Sequence, residues 1–268
     1  MNNFKYVKSK IANSNLKIKP FPYFTIKNLL PYKELNKLNK ILPSFNEIED
    51  QDIYHQVKSD TKKVLLPNSK IYKKLIKKPS FKKLNSLFEK LKPFILKKFD
   101  EPIKNFVNKK YQKSHLTFHS VFSLMRKGYY LKPHIDRREH LITILFYPSS
   151  QVLKGGDIKL MQLKKNPNKI KNFDVFPATD NLKLGKSFKI KNNFCLFTLN
   201  VPWSYHSVSK YNGKKDRKYF YFVYDFPTKD VGAKLKNRKK GNNQNTFWKS
   251  KVSVFSQKRR KEFFQAKS

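Results

Sequence analysis

From about His115 to Phe226 the apolar residues recur with a period of 2, in short runs cut apart by turn residues, and that cadence restricts the fold more than any other feature of the chain. The runs HLTFHSVFSLM, HLITILFY, DIKLMQL, SFKIKNN, FCLFTL, SYHSVSKY and RKYFYFVYDF are rich in aromatic and β-branched residues. Gly155-Gly156 and Asn212-Gly213 are among the separators. Runs of this length and spacing predict an antiparallel barrel or sandwich of about eight strands.

Before residue 110 the period is different. The stretch PFPYFTIKNLLPYKELNKLNKILPSF opens extended, and then Leu35, Leu38, Ile41 and Leu42 fall at helical spacing behind Pro31. A second helix is expected from near Ser80, read as its N-cap after Pro79. It carries Leu84, Leu87, Phe88 and Leu91 on one face, and Pro93 ends or bends it. The expected organisation is mainly β with N-terminal helices (α+β). Residues 1–110 form a helical support packed on the barrel, residues 111–227 the barrel, and residues 228–268 a basic tail with a flexible linker and a short amphipathic helix. A chain of 268 residues, 38% apolar and 15% aromatic, can bury such a core.

The formal net charge is +42, yet only seven of the 60 basic residues are arginine. The lysines accompany abundant Asn, Ile and Phe, residues that an AT-rich coding sequence favours, whereas reading phosphates or base edges calls for bidentate arginine. The field will still attract nucleic acid and anionic surfaces at low salt. The opening MNNFKYVKSKIANSNLKIKP holds no apolar run of signal-peptide length, and no stretch approaches the roughly 18 apolar residues of a membrane span, so a cytoplasmic protein is expected. Cys195 is the sole cysteine, which excludes an internal disulfide and a thiolate metal cluster and reads as an inert core residue.

The stretch PHIDRREHLITILFYP concentrates the chemistry. On an extended strand side chains alternate faces, so His134 and Asp136 project into the same space from one strand and its exit. Of the other histidines, His55 sits in a polar stretch, His140 comes after the charged RRE loop, and His115 and His119 share a parity on an early strand. His206 stands apart because a turn and an arginine come shortly after it. Taking Asn212-Gly213 as a two-residue type I′ turn pairs Val208 with Arg217 and His206 with Tyr219, so Arg217 and His206 face one interior on a diagonal of roughly 7–8 Å. Two histidines and one carboxylate facing inward match the facial triad that holds non-haem Fe(II) and leaves three coordination positions free. The arginine could pair bidentately with the far carboxylate of an oxoacid bound at the metal.

With these residues in place, the sequence resembles a known family. The run LMRKGYYLKPHIDRREHLITILFYP, then GGDIKL, then FTLNVPWSYHSV, then RKYFYFVYDF is similar to the 2-oxoglutarate/Fe(II)-dependent dioxygenases of the prolyl-4-hydroxylase-like class. The order is HxD, a Gly-Gly turn, a distal His and a basic residue about ten positions later. PFPYFTIKNLLPYKELNKL is similar to the lead-in many such enzymes carry, so the resemblance spans roughly residues 19–227. It implies a double-stranded β-helix, a jelly-roll (cupin-like) barrel, with His134, Asp136 and His206 as catalytic iron ligands and Arg217 on the distal carboxylate of 2-oxoglutarate. Tyr147 falls where related enzymes often place a tyrosine that assists that carboxylate. Two departures stand out: Ser207 where the family often has Gly, and a slightly long spacing to Arg217, for which Lys215 could substitute. Asp136 argues against the halogenating relatives, which lose this carboxylate.

The implied activity is hydroxylation of a substrate with O2 and release of succinate and CO2, with Fe(II) as metal, 2-oxoglutarate as cosubstrate and ascorbate as a candidate reductant. Substrate classes consistent with this are a peptidyl proline or other protein side chain, a sugar or lipid headgroup, another small molecule, or a nucleobase. Trp203 and Tyr205 are expected to pack beneath the iron. Tyr129 and Tyr130 could line the pocket, Arg126, Arg137 and Arg138 could select an anion, and Gly155-Gly156 most simply makes a tight turn. The alternative is a catalytically silent basic protein on the same barrel that binds nucleic acid or the ribosome.

Overall fold

The computed structural model describes residues 3–48, 61–65, 69–107, 115–137, 139–148, 154–166, 173–174 and 176–226. The expected basic tail, His55 and Arg138 lie outside them. The described helices are α1 (Asn3–Asn13), α2 (Tyr32–Ile41), α3 (Lys70–Leu75), α4 (Pro79–Lys98) and α5 (Asp100–Phe106). The strands are β1 (Tyr23–Lys27), β2 (Lys62–Leu65), β3 (Thr117–Met125), β4 (Leu131–His134), β5 (His140–Tyr147), β6 (Ile158–Leu163), β7 (Leu182–Phe188), β8 (Phe194–Leu199), β9 (His206–Val208) and β10 (Arg217–Asp225).

These strands build two antiparallel sheets, one ordered β1-β8-β5-β10-β3-β2 and the other β4-β9-β6-β7. From β3 to β10 the chain changes sheet at every step except the β6–β7 hairpin. Among the described residues no ladder joins the edges of the two sheets, so of the barrel or sandwich expected from the cadence the structure has an open two-sheet arrangement, and the closed barrel implied by the resemblance is not formed.

Alternation decides what each face of the larger sheet does. On β10, Phe220, Phe222 and Tyr224 point to the helical side, while Arg217, Tyr219 and Tyr221 point to the second sheet. Helix α4 covers the first of these faces: Phe81 meets Phe220 at 5.7 Å between ring centroids, and Phe88 stacks on Phe222 at 4.2 Å. The Tyr224 hydroxyl donates to the Phe88 carbonyl at 2.6 Å, which satisfies a buried phenol. Helices α1 and α2 pack against α4 in turn. Cys195 is buried on this face, where burial pushes its thiol well up, as an inert core residue requires.

Local expectations differ from the structure at four points. The N-cap of α4 is Lys78, not Ser80, because Pro79 takes the first helical position, where a missing N–H costs nothing. Pro93 does not end the helix. It lies on the exposed side, so the Glu89 carbonyl it frees faces water and α4 continues to Lys98. The strand expected over residues 187–193 begins earlier, at Leu182, and ends at Phe188. Asn212-Gly213 does not close a β9–β10 hairpin: β9 pairs with β4 and β6, and β10 with β3 and β5.

Candidate metal centre and anion pocket

The site occupies the space between the sheets. His134 and His206 are cross-strand partners in the β4–β9 ladder, and directly opposed residues share a face. Their ring centroids are 4.3 Å apart. Asp136, two residues beyond β4, brings its Oδ1 to 4.0 Å from His134 Nε2 and 3.6 Å from His206 Nε2. One ligand atom from each of the three residues lies within 4.8 Å of the others, a group that could hold a metal ion. The local sequence explains the aim. His134 Nδ1 lies 2.9 Å from the Lys132 carbonyl and His206 Nδ1 lies 3.0 Å from the Ser204 carbonyl, so each Nδ1–H donates to the backbone and each Nε2 is left as the ligating atom.

The electrostatics suit a cation. Burial, helped by the neighbouring His206, pushes His134 down to about 4, so its imidazole is neutral. Burial works to raise Asp136, but His206, His140, His134 and the Thr143 hydrogen bond outweigh it and hold the carboxyl below its ordinary range. A neutral imidazole at His134 and a carboxylate at Asp136 are donors that a divalent metal takes without displacing protons.

Asp136 is itself fixed. Thr143 Oγ1 donates to its Oδ2 at 2.8 Å, and Asn200 Nδ2 donates to Thr143 Oγ1 at 2.8 Å. Replacing Thr143 with Val keeps the shape and removes this support. The expected outcome is a metal affinity about 10–100-fold weaker with the fold intact, read by anaerobic calorimetric titration with Fe(II) or Mn(II).

Four residues further along the same face of β5, Tyr147 is buried beneath the Arg217 guanidinium, whose Cζ lies 4.5 Å from the ring centroid. Burial pushes the Tyr147 hydroxyl up to about 12, against the pull of Arg217. Arg217 is fully buried and reaches from the larger sheet to the second, donating through Nη1 to the Gly156 carbonyl. Among the described residues its Nε and Nη2 have no hydrogen-bond partner. A buried cation with two idle donors has the chemistry to receive an anion. Gly156 is more than a turn residue: it has φ +70°, and a Cβ there would collide with Arg217 Nη1.

The remaining candidates separate clearly. Lys215 is exposed and does not take the place of Arg217. His140 and His119 serve Asp225 instead, with His140 Nδ1 at 2.6 Å and His119 Nε2 at 3.6 Å from its carboxylate oxygens. Arg126 pairs with Asp216 at 3.4 Å. Tyr129 is buried, whereas Tyr130 is 58% exposed. Trp203 packs edge-on against Phe106, and the Tyr205 hydroxyl donates to the Asp174 carbonyl at 2.9 Å. Thr143, Asn200 and Lys62 belong to the neighbourhood of the site, and sequence reasoning does not single them out. Thr143 alone carries a readable signal, its parity with Tyr147 on a strand beginning just after the HxD pair.

No family model and no curated protein matches the chain. Among solved structures it is similar to a Pseudomonas putida prolyl-4-hydroxylase, with a TM-score of 0.51 and 12% identity over 84% of this chain and 99% of that one. It is also similar to the non-haem α-ketoglutarate-dependent epimerase of nogalamycin biosynthesis, with a TM-score of 0.50 and 11% identity over 90% of this chain and 92% of that one. At such identities the likeness is one of fold, and the fold of this chain is the one it has in common with a prolyl-4-hydroxylase and an α-ketoglutarate-dependent epimerase.

Proposed function

We propose that this protein is an Fe(II)- and 2-oxoglutarate-dependent dioxygenase on a jelly-roll, double-stranded β-helix of the prolyl-4-hydroxylase-like class, hydroxylating a substrate with O2. The observation that carries the reading is a conjunction: a His134–Asp136–His206 group with both Nε2 atoms free, and a fully buried Arg217 with two unsatisfied N–H donors on the same interior. Either alone has structural explanations. Together they supply one site for a metal and one for the far carboxylate of a keto diacid.

Iron with 2-oxoglutarate would supply the oxidising power for attack on a C–H bond, leaving succinate and CO2. The chain's own part is positioning. His134, Asp136 and His206 would occupy one face of the metal and leave the other to cosubstrate and O2. Arg217, braced by Tyr147 and the Gly156 carbonyl, would take the distal carboxylate bidentately through Nε and Nη2. Leu145, between Thr143 and Tyr147 on β5, would provide an apolar floor. One fold neighbour is named a hydroxylase and the other an epimerase, so the substrate is set by the loops around this site and not by the fold. The strongly basic surface favours a substrate or partner with negative charge.

The test is anaerobic titration with Fe(II) and then 2-oxoglutarate, monitored by visible absorption. The reading expects a weak charge-transfer band with Fe(II) and none with Zn(II), and succinate release once O2 is admitted with substrate. A folded protein that carries stoichiometric Fe(II) and shows no band on adding 2-oxoglutarate would sink it.

A further inference from the structure

Arg217 is not the sole cation on this wall. In the larger sheet Met125 of β3 is the direct partner of Arg217 on one side and of Lys62 on the other, so the three share a row and a face. Strand alternation then fixes where two adjacent lysines go. Lys63 points outward, donating to the Ile48 carbonyl at 2.6 Å and lying over Phe45 at 4.9 Å. Lys62 points inward, with its ammonium 5.7 Å from the centroid of the buried Tyr129 ring. Two residues along β10, on the same face as Arg217, Tyr219 stacks on Tyr147 at 5.7 Å.

Burial works against the charge on Lys62, but the oxygens of Tyr219 and Tyr129 outweigh it and keep the ammonium protonated. Its charge is felt by Tyr147 and by His134, which places it within reach of both ends of the candidate site. Among the described residues two nitrogens of Arg217 are buried with no hydrogen-bond partner. Two cations and several phenols therefore lie on one interior face, while the described acidic residue of the site, Asp136, belongs to the metal group. Two inward cations on one face repel one another, and an anion between them relieves that repulsion.

We infer that Lys62 is a second cationic anchor of the cosubstrate pocket, binding the same distal carboxylate as Arg217 and setting the preference for a keto diacid over a keto monoacid. This rests on the dioxygenase reading above. It assigns a ligand-binding role to β2, a strand at the edge of the larger sheet that comes before every metal-binding residue in the chain.

The test compares two ligands that chelate a metal through the same keto-acid head. One is 2-oxoglutarate. The other is 2-oxobutyrate, which lacks the distal carboxylate. Dissociation constants are measured anaerobically on the Fe(II) protein, and the stabilisation by N-oxalylglycine is measured by thermal shift on the Zn(II) protein, which needs no turnover. Lys62→Met is expected to weaken 2-oxoglutarate about tenfold or more and leave 2-oxobutyrate unchanged, with Lys62→Gln behaving alike. Equal losses for both ligands, or no loss for either, would overturn the role of Lys62. A wild-type protein that binds neither ligand would instead overturn the dioxygenase reading itself.

Discussion

Arg217→Met should make the protein harder to unfold and, in the same molecule, unable to hold 2-oxoglutarate. The guanidinium is fully buried, bonds the Gly156 carbonyl and the Tyr147 face, and keeps two N–H groups unsatisfied among the described residues. A buried charge left without an anion is costly, and replacing such groups with an apolar chain of similar length is neutral or stabilising by about 1–4 kcal/mol. For a chain of this size that corresponds to a rise of roughly 2–4 °C in Tm per kcal/mol. Binding should move the other way. Removing one partner of a buried, hydrogen-bonded charge pair costs about 2–5 kcal/mol, roughly 30-fold to several thousandfold in affinity. Calorimetric unfolding and an anaerobic 2-oxoglutarate titration on the same preparation read both. A fall in Tm would mean that Arg217 holds the sheets together and is not kept for a ligand.

Phe88→Ala should be the most damaging single change in the core, at about 3–5 kcal/mol. Phe88 has no exposure, stacks on Phe222 at 4.2 Å and reaches Phe197 at 6.5 Å between centroids, so its ring joins α4 to β10 and β8 at once. Those two strands flank β5, the strand that carries Thr143 and Tyr147. Against a typical net stability of about 5–15 kcal/mol, losing this ring removes roughly a fifth of the margin or more. Urea unfolding is the measurement, with a lower midpoint and an unchanged slope expected. A loss below about 1 kcal/mol would show that α4 is peripheral to the sheet it covers.

Period explains which parts of the site are legible in the sequence. A repeat of 2 assigns parity, and parity alone places His134 with Asp136, Thr143 with Tyr147, and Arg217 with Tyr219 on their faces. It carries no information about which strand lies alongside which. The Asn212-Gly213 hairpin is therefore a reasonable route to a juxtaposition that the structure achieves differently, with Arg217 reaching across from the opposite sheet. Helix α1 is unreadable for another reason: only Val7 and Ile11 are buried on it, too thin an apolar stripe among lysines to announce a period. Lys62 is hidden by composition, since in a lysine-rich chain one inward lysine looks like any other until its strand is paired.

Strand β5 also acts as a ruler. Thr143 steadies Asp136 at one point of its inner face and Tyr147 carries Arg217 at another, and the two are separated by four residues of one continuous strand, about 13 Å of nearly inextensible backbone. On the proposed reading, the interval between metal and distal carboxylate is thus graduated by peptide bonds and is indifferent to how the surrounding loops drift. Loops can change what is oxidised; the length of the diacid that accompanies it is engraved in the sheet.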